Sequence, residues 1–303
     1  MPSQTGRGDN MRAQVTLIPT ESKKLIAKAV AGMDEVQHAF KKGIVAIHPS
    51  SSTIFIVEEL VGVLPETEVW VSGLVAPKAA CVSLESTRGH RQVNEVTPSL
   101  TGLAGYSFTW VIEKGKLKTG LPLGPLLDRM GPEDVYIKGV NAIDPNNMVG
   151  VLIGNKVEGG TIGMVTSRAK RQGFKMVFPV GLEKLIPVPI KKASEAAAAK
   201  NSLDYSMGTP CALLPCEGLV VTEPRAIELL TGATAIPISA GGLGGAEGAI
   251  TMIVTGDERQ VTKAINYIEE VKGARLPREV RVSECKDCER ERCSLRGTNK
   301  PWC

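Results

Sequence analysis

Aromatic residues make up only 4% of the 303 residues, with five Phe, four Tyr and three Trp. That is too few to supply the stacking platforms on which single-stranded nucleic acid is held. Charge of one sign is also missing. The 36 basic and 32 acidic side chains leave a formal net charge of +4, which excludes the strongly basic composition of a phosphate-backbone binder. Nucleic acid is therefore not an expected partner. No run approaches the ~20 apolar residues that span a bilayer, so no membrane partner is expected either. The opening MPSQTGRGDNMRAQ lacks the apolar core of a secretory signal. Together with an odd total of seven cysteines, this implies a reducing, cytoplasmic setting rather than a disulfide framework. What is present is ordinary for a globular chain: 43% apolar and 22% charged residues, ample for a core. The length allows one large domain or two smaller ones.

Apolar periodicity divides the chain. Residues 1–20 read as a flexible N-terminus, and residues 21–42 place Leu25, Ile26, Ala29, Val30, Met33, Val36 and Phe40 at helical spacing. Ile44–His48 is a β-branched run that reads as a buried strand, followed by Pro49-Ser-Ser-Ser-Thr53 and a helix from Ile54. Asp134–Gly139 and Phe174–Val180 read as further buried strands, with a helix over Thr161–Arg171 between them. Strands alternating with helices imply parallel crossovers and an α/β fold. The Ala-rich Ser194–Lys200 opens a linker over 194–209. Residues 210–283 follow β-α-β-β-α-β order, which predicts a small α+β ferredoxin-like domain after the α/β domain of 21–193. In it, Asp257 stands near the N-cap of a helix that sets Val261, Ala264, Ile265, Ile268 and Val271 on one face.

One constellation carries chemistry. Asp134–Thr161 presents Asn141 and Asp144 just beyond a strand end, then Asn155, Lys156 and the Gly159-Gly160-Thr161 turn that starts a helix. Ligands of α/β sheets bind beyond the carboxyl ends of strands, and a glycine turn opening a helix offers backbone N–H groups to an anion. The hydroxyl-rich Ser50–Thr53 follows another strand end.

Gly139-Val-Asn141-Ala-Ile followed by Asn155-Lys156 and Gly160-Thr161 resembles the signature of the ribose-5-phosphate isomerase, glucosamine-6-phosphate deaminase and CoA-transferase superfamily. It is similar to the methylthioribose-1-phosphate isomerases and the regulatory subunits of initiation factor 2B, over about residues 21–190. The resemblance implies a parallel-sheet fold of that superfamily. It also implies a phosphorylated or acyl ligand held by Ser50, Ser51, Ser52, Thr53, Asn141, Asn155, Lys156, Gly159, Gly160 and Thr161. Asn141 stands where these isomerases place a catalytic Asp, and an amide cannot exchange a proton as a carboxylate does. Asp144 and Glu158 are then the candidate acid/base groups for isomerase or transferase chemistry. The substitution also suits a non-catalytic ligand sensor or an oligomeric assembly protein, so a homo-oligomer is an expected state.

Four of the seven cysteines fall in the last 19 residues, as Cys285-x2-Cys288-x4-Cys293-x9-Cys303. Four thiolates suit tetrahedral zinc or an iron–sulfur cluster, and the spacing leaves both open. The tail of 284–303 has little apolar content, so metal binding would supply its folding energy. A redox protein built on this tail is the third functional expectation.

Overall fold

The computed structural model describes residues 10–67, 69–72, 75–84, 86–87, 108–154, 159–198 and 200–303. In chain order its elements are β1 (Asn10–Leu17), α1 (Pro19–Gly32), α2 (Asp34–Lys42), β2 (Ile44–Ile47), α3 (Ile54–Val61), β3 (Trp110–Glu113), β4 (Lys116–Lys118), α4 (Leu123–Arg129), β5 (Val135–Ile137), β6 (Ala142–Ile143), β7 (Val149–Ile153), α5 (Gly160–Gln172), β8 (Lys175–Pro179), α6 (Ile190–Ala197), β9 (Ala212–Cys216), β10 (Leu219–Val221), α7 (Glu223–Thr231), β11 (Thr234–Ala240), β12 (Ile250–Asp257) and α8 (Glu258–Val271).

The central sheet has the order β10-β8-β5-β2-β3-β4. Its first four strands are parallel, and the β3–β4 hairpin adds antiparallel to the β2 edge. Lys114 and Gly115, at φ +51° and +72°, make the two-residue hairpin turn with both central residues in the left-handed region. The parallel strands are apolar throughout because both faces are covered. Successive side chains alternate between two cores. Val45, Ile47, Val135, Ile137 and Val177 pack with residues of α1, α2, α3 and α7. Ile44, Ala46, Tyr136, Met176 and Phe178 pack with α4 and α5. The mixed α/β expectation is met.

Two smaller sheets complete the fold. β1-β12-β11 is antiparallel and packs through α8 and α7 onto α1. Asp257 caps α8 reciprocally with Gln260: the Gln260 N–H donates to Asp257 Oδ1 at 2.8 Å, and the Asp257 N–H to Gln260 Oε1 at 3.0 Å. Val261, Ala264, Ile268 and Val271 are buried as their spacing predicts. The third sheet, β6-β7-β9, carries α6.

Three expectations need correction. Residues 10–17, assigned to a flexible lead, pair with β12 along their whole length. Met11, Ala13, Val15 and Leu17 alternate inward, a period-two signal hidden in polar surroundings. Residues 210–283 form no separate ferredoxin-like unit, because their strands divide among three sheets. The strand-like run over 212–222 breaks at Gly218, which lies so close to β8 that a Cβ there would meet Met176 O at 2.6 Å. The first half therefore joins β7 and the second joins β8. The Ala-rich stretch also does not open a linker: its first half belongs to α6, and Ser194 Oγ donates to Leu213 O at 2.7 Å.

Leu17 is fully buried at the end of β1. Leu17→Ala is expected to cost about 2–5 kcal/mol, read from the urea midpoint at unchanged m-value. A loss under about 0.5 kcal/mol, the range of surface substitutions, would show that β1 is not part of the cooperative fold.

Candidate functional site

The carboxyl ends of β2, β5 and β8 open into one cleft of about 1290 Å³. His48 and the serines follow β2, Lys138 and Gly139 follow β5, and a 3-10 turn over Leu182–Lys184 follows β8. This is the edge where ligands of parallel sheets sit.

The serine loop is shaped from within. Thr53 Oγ1 donates to His48 O at 2.6 Å, and Ser50 Oγ lies 3.0 Å from Thr53 Oγ1. Thr53 is thus fully buried in support of the loop, while Ser50, Ser51 and Ser52 line the cleft. Gly139 lets β5 approach closely, since a Cβ there would meet Ser50 Oγ at 2.8 Å and Ser52 Cβ at 3.4 Å.

Two lysines stand against this loop. Lys184 donates to Ser52 Oγ at 3.2 Å and to Val140 O at 2.9 Å. Burial of its ammonium pulls its pKa down to about 8. Its turn is anchored from below: the Leu182 N–H donates to both carboxylate oxygens of Glu223 at 3.1 and 3.0 Å. Glu223 is fully buried, and burial raises its pKa to about 7. Lys138 lines the cleft while being only 7% exposed, and burial lowers its pKa to about 7. Its backbone N–H donates to Val177 O at 3.0 Å, and its ammonium has Cys216 as an electrostatic neighbour and no carboxylate partner among the described residues. Lys23, also lining the cleft, lies 3.7 Å from Glu183.

Of the sequence-predicted residues, Ser50, Ser51, Ser52, Asn141, Gly159, Gly160, Thr161, Cys288 and Cys293 line this cleft. Asn141 is partly committed, because its Oδ1 accepts the Leu152 N–H at 2.9 Å. Gly159, at φ +70°, caps α5 in the left-handed conformation, and a Cβ there would strike Gly163 Cα at 2.7 Å. Asn155, Lys156 and Glu158 lie outside the described residues. Asp144 is held elsewhere. Its carboxylate accepts the N–H groups of Asn146 at 2.8 Å, Met148 at 3.0 Å and Ile190 at 2.9 Å. It thereby closes the β6–β7 turn and fastens the start of α6, and it does not line the cleft. Burial pushes its pKa up, and the three amide donors more than offset this, leaving it below the ordinary 3.8.

Sequence reasoning missed Lys138, Lys184 and Cys81. The available signal for Lys138 was a lysine directly after the apolar Val135-Tyr-Ile137, where a strand end faces any ligand. Comparison with protein-family models, curated proteins and solved structures returns no match.

Asp144→Ala leaves three amide donors without their acceptor and is expected to cost about 1–3 kcal/mol in urea unfolding. Because the native pKa is depressed, Asp144's contribution is present at neutral pH. It is lost as pH falls below the unfolded value and through the native one. A variant as stable as the wild type at pH 7 would contradict the anchoring role.

Proposed function

We propose that the cleft binds the phosphoryl group of a small molecule: a sugar phosphate, a nucleotide or an acyl-coenzyme A. The observation that carries this reading is Lys138, a buried ammonium with no carboxylate partner among the described residues, facing a cleft edged by three serines. A buried cation without a partner is costly, and a bound anion would supply its counter-charge. Serine hydroxyls and a glycine-opened helix are matching donors for phosphate oxygens. Lys184 adds positive charge on the same side, where Lys23 is paired with Glu183. The likeness to the isomerase and CoA-transferase superfamily is part of the proposal. It draws support from Ser50–Ser52 and Gly159–Thr161, far apart in sequence, lining one cleft.

For chemistry beyond binding, Asn141 cannot exchange a proton and the Asp144 carboxylate is occupied by backbone. Lys138, with a pKa of about 7, can give and take a proton at neutral pH, as an isomerase-like step requires.

Ribose 5-phosphate, AMP, coenzyme A and inorganic phosphate are the probes, read by thermal shift and calorimetry. At least one phosphorylated probe should stabilise the fold, by about 2.7 kcal/mol at a hundred times its Kd. Its affinity should fall as pH rises through 7 to 8, where Lys138 and Lys184 lose their protons. Lys138→Met should weaken binding at least about tenfold, the equivalent of 1.4 kcal/mol, while leaving the unliganded fold as stable or more so. Absence of stabilisation by every probe, or unchanged affinity in Lys138→Met, would refute the reading.

A further inference from the structure

Three lysines line the cleft, and their surroundings divide them. The Lys184 ammonium donates to Ser52 Oγ at 3.2 Å and to Val140 O at 2.9 Å. Lys23 stands beside the Glu183 carboxylate at 3.7 Å. Both are engaged as cations. Lys138 has no carboxylate partner among the described residues. Its electrostatic neighbour is the Cys216 thiol, which burial pushes up to about 12. That thiol stays neutral at physiological pH and supplies no counter-charge.

The base of the Lys138 side chain is clamped. The His48 N–H donates to Ile137 O at 2.9 Å, and the Lys138 N–H donates to Val177 O at 3.0 Å. The residue is therefore tied into the sheet between β2 and β8. Alternation along β5 sets Lys138 on the same face as Tyr136, the face packed by α4 and α5. The core residues of that face that reach the cleft are Val140, Val151, Ile153 and Ile162. Their apolar lining offers an ammonium no hydration, which favours the neutral amine. Desolvation of this kind is what makes a lysine a nucleophile, because the nitrogen lone pair is then free to attack a carbonyl carbon. Lys184 and Lys23, with oxygen partners for their protons, lack that freedom.

We propose that Lys138 forms an imine with the carbonyl group of a small aldehyde or ketone bound in the cleft. Nζ bonds to the carbonyl carbon as the carbon–oxygen π bond breaks, and one amine proton passes to the oxygen. The carbinolamine then takes one proton from solvent and loses water, leaving a protonated imine. No oxidant or reductant is consumed. The imine carries its positive charge where the ammonium stood, so a phosphoryl group on the same ligand keeps its counter-charge. Open-chain sugar phosphates carry both groups. The imine itself needs no phosphoryl group, and so goes beyond the phosphate reading of this cleft.

The test traps the imine in the full-length protein at pH 7 with cyanoborohydride, which reduces imines and spares carbonyls. The probes are dihydroxyacetone phosphate and ribose 5-phosphate, each beside its unphosphorylated parent. Intact mass and peptide mapping locate the adduct. Lys138 should be labelled at least about tenfold faster than any exposed lysine, whose ordinary pKa near 10.4 keeps it protonated. Its rate should level off above about pH 8, past its own pKa of about 7, while exposed lysines continue to gain. Lys138→Met, checked for folding by circular dichroism, should lose this adduct. Labelling of Lys138 no faster than that of exposed lysines, or the same fast adduct in folded Lys138→Met, would overturn the proposal. Equal labelling by phosphorylated and unphosphorylated probes would uphold the imine and count against the phosphate reading. Phosphorylated probes that stabilise the fold without labelling Lys138 would overturn the imine alone.

Discussion

Burying Lys138 at the end of β5 costs free energy that no described carboxylate offsets. With a native pKa of about 7 against an ordinary 10.5, the penalty is on the order of several kcal/mol, at ~1.4 kcal/mol for each pH unit between the two values. Between those pH values the native state binds fewer protons than the unfolded chain, so stability rises with pH across that window. A methionine of similar length would avoid the cost. In the reading proposed above, a negative group from solution supplies the other half of the interaction that offsets this cost.

The rest of the fold serves that position. Alternation along β2, β5 and β8 commits successive side chains to two apolar cores, which leaves the strand ends as the sheet's polar outlet. Gly139 admits the serine loop to within contact of β5. Glu223, itself buried, holds the turn that delivers Lys184 to Ser52. Asp144, a natural candidate for catalysis by its place near a strand end, instead satisfies three amides and sets the third sheet against α6. Charged groups that look alike in the sequence thus divide into those neutralised by backbone and those turned to the cleft.

That division explains how much could be read without coordinates. Continuous apolar runs located β2, β5 and β8, and a 3.6-residue period located α1 and α8, because burial on one or both faces leaves a direct mark on residue choice. The serine loop and the glycine turn were legible because hydroxyls and glycines concentrate at turns and helix starts. Lys138 was not, since a lysine carries no mark of burial until its neighbours are placed. β1 was missed for a similar reason: its partner β12 lies some 240 residues away, and pairing at that distance leaves only a weak alternation among polar residues. Residues 210–283 misled because strand order alone does not say which sheet each strand joins. The tail was legible as a thiol cluster, but its dock beside Cys81 and the cleft depends on long-range contacts with residues 78–87 and 206–208.

The central claim concerns the state of one ammonium, and NMR of lysine-labelled protein measures it directly. The Lys138 resonance, assigned by its loss in Lys138→Met, is predicted to titrate near pH 7 in the unliganded protein and to shift upward when a phosphorylated ligand binds. Titration near 10.5, unchanged by any such ligand, would contradict the account.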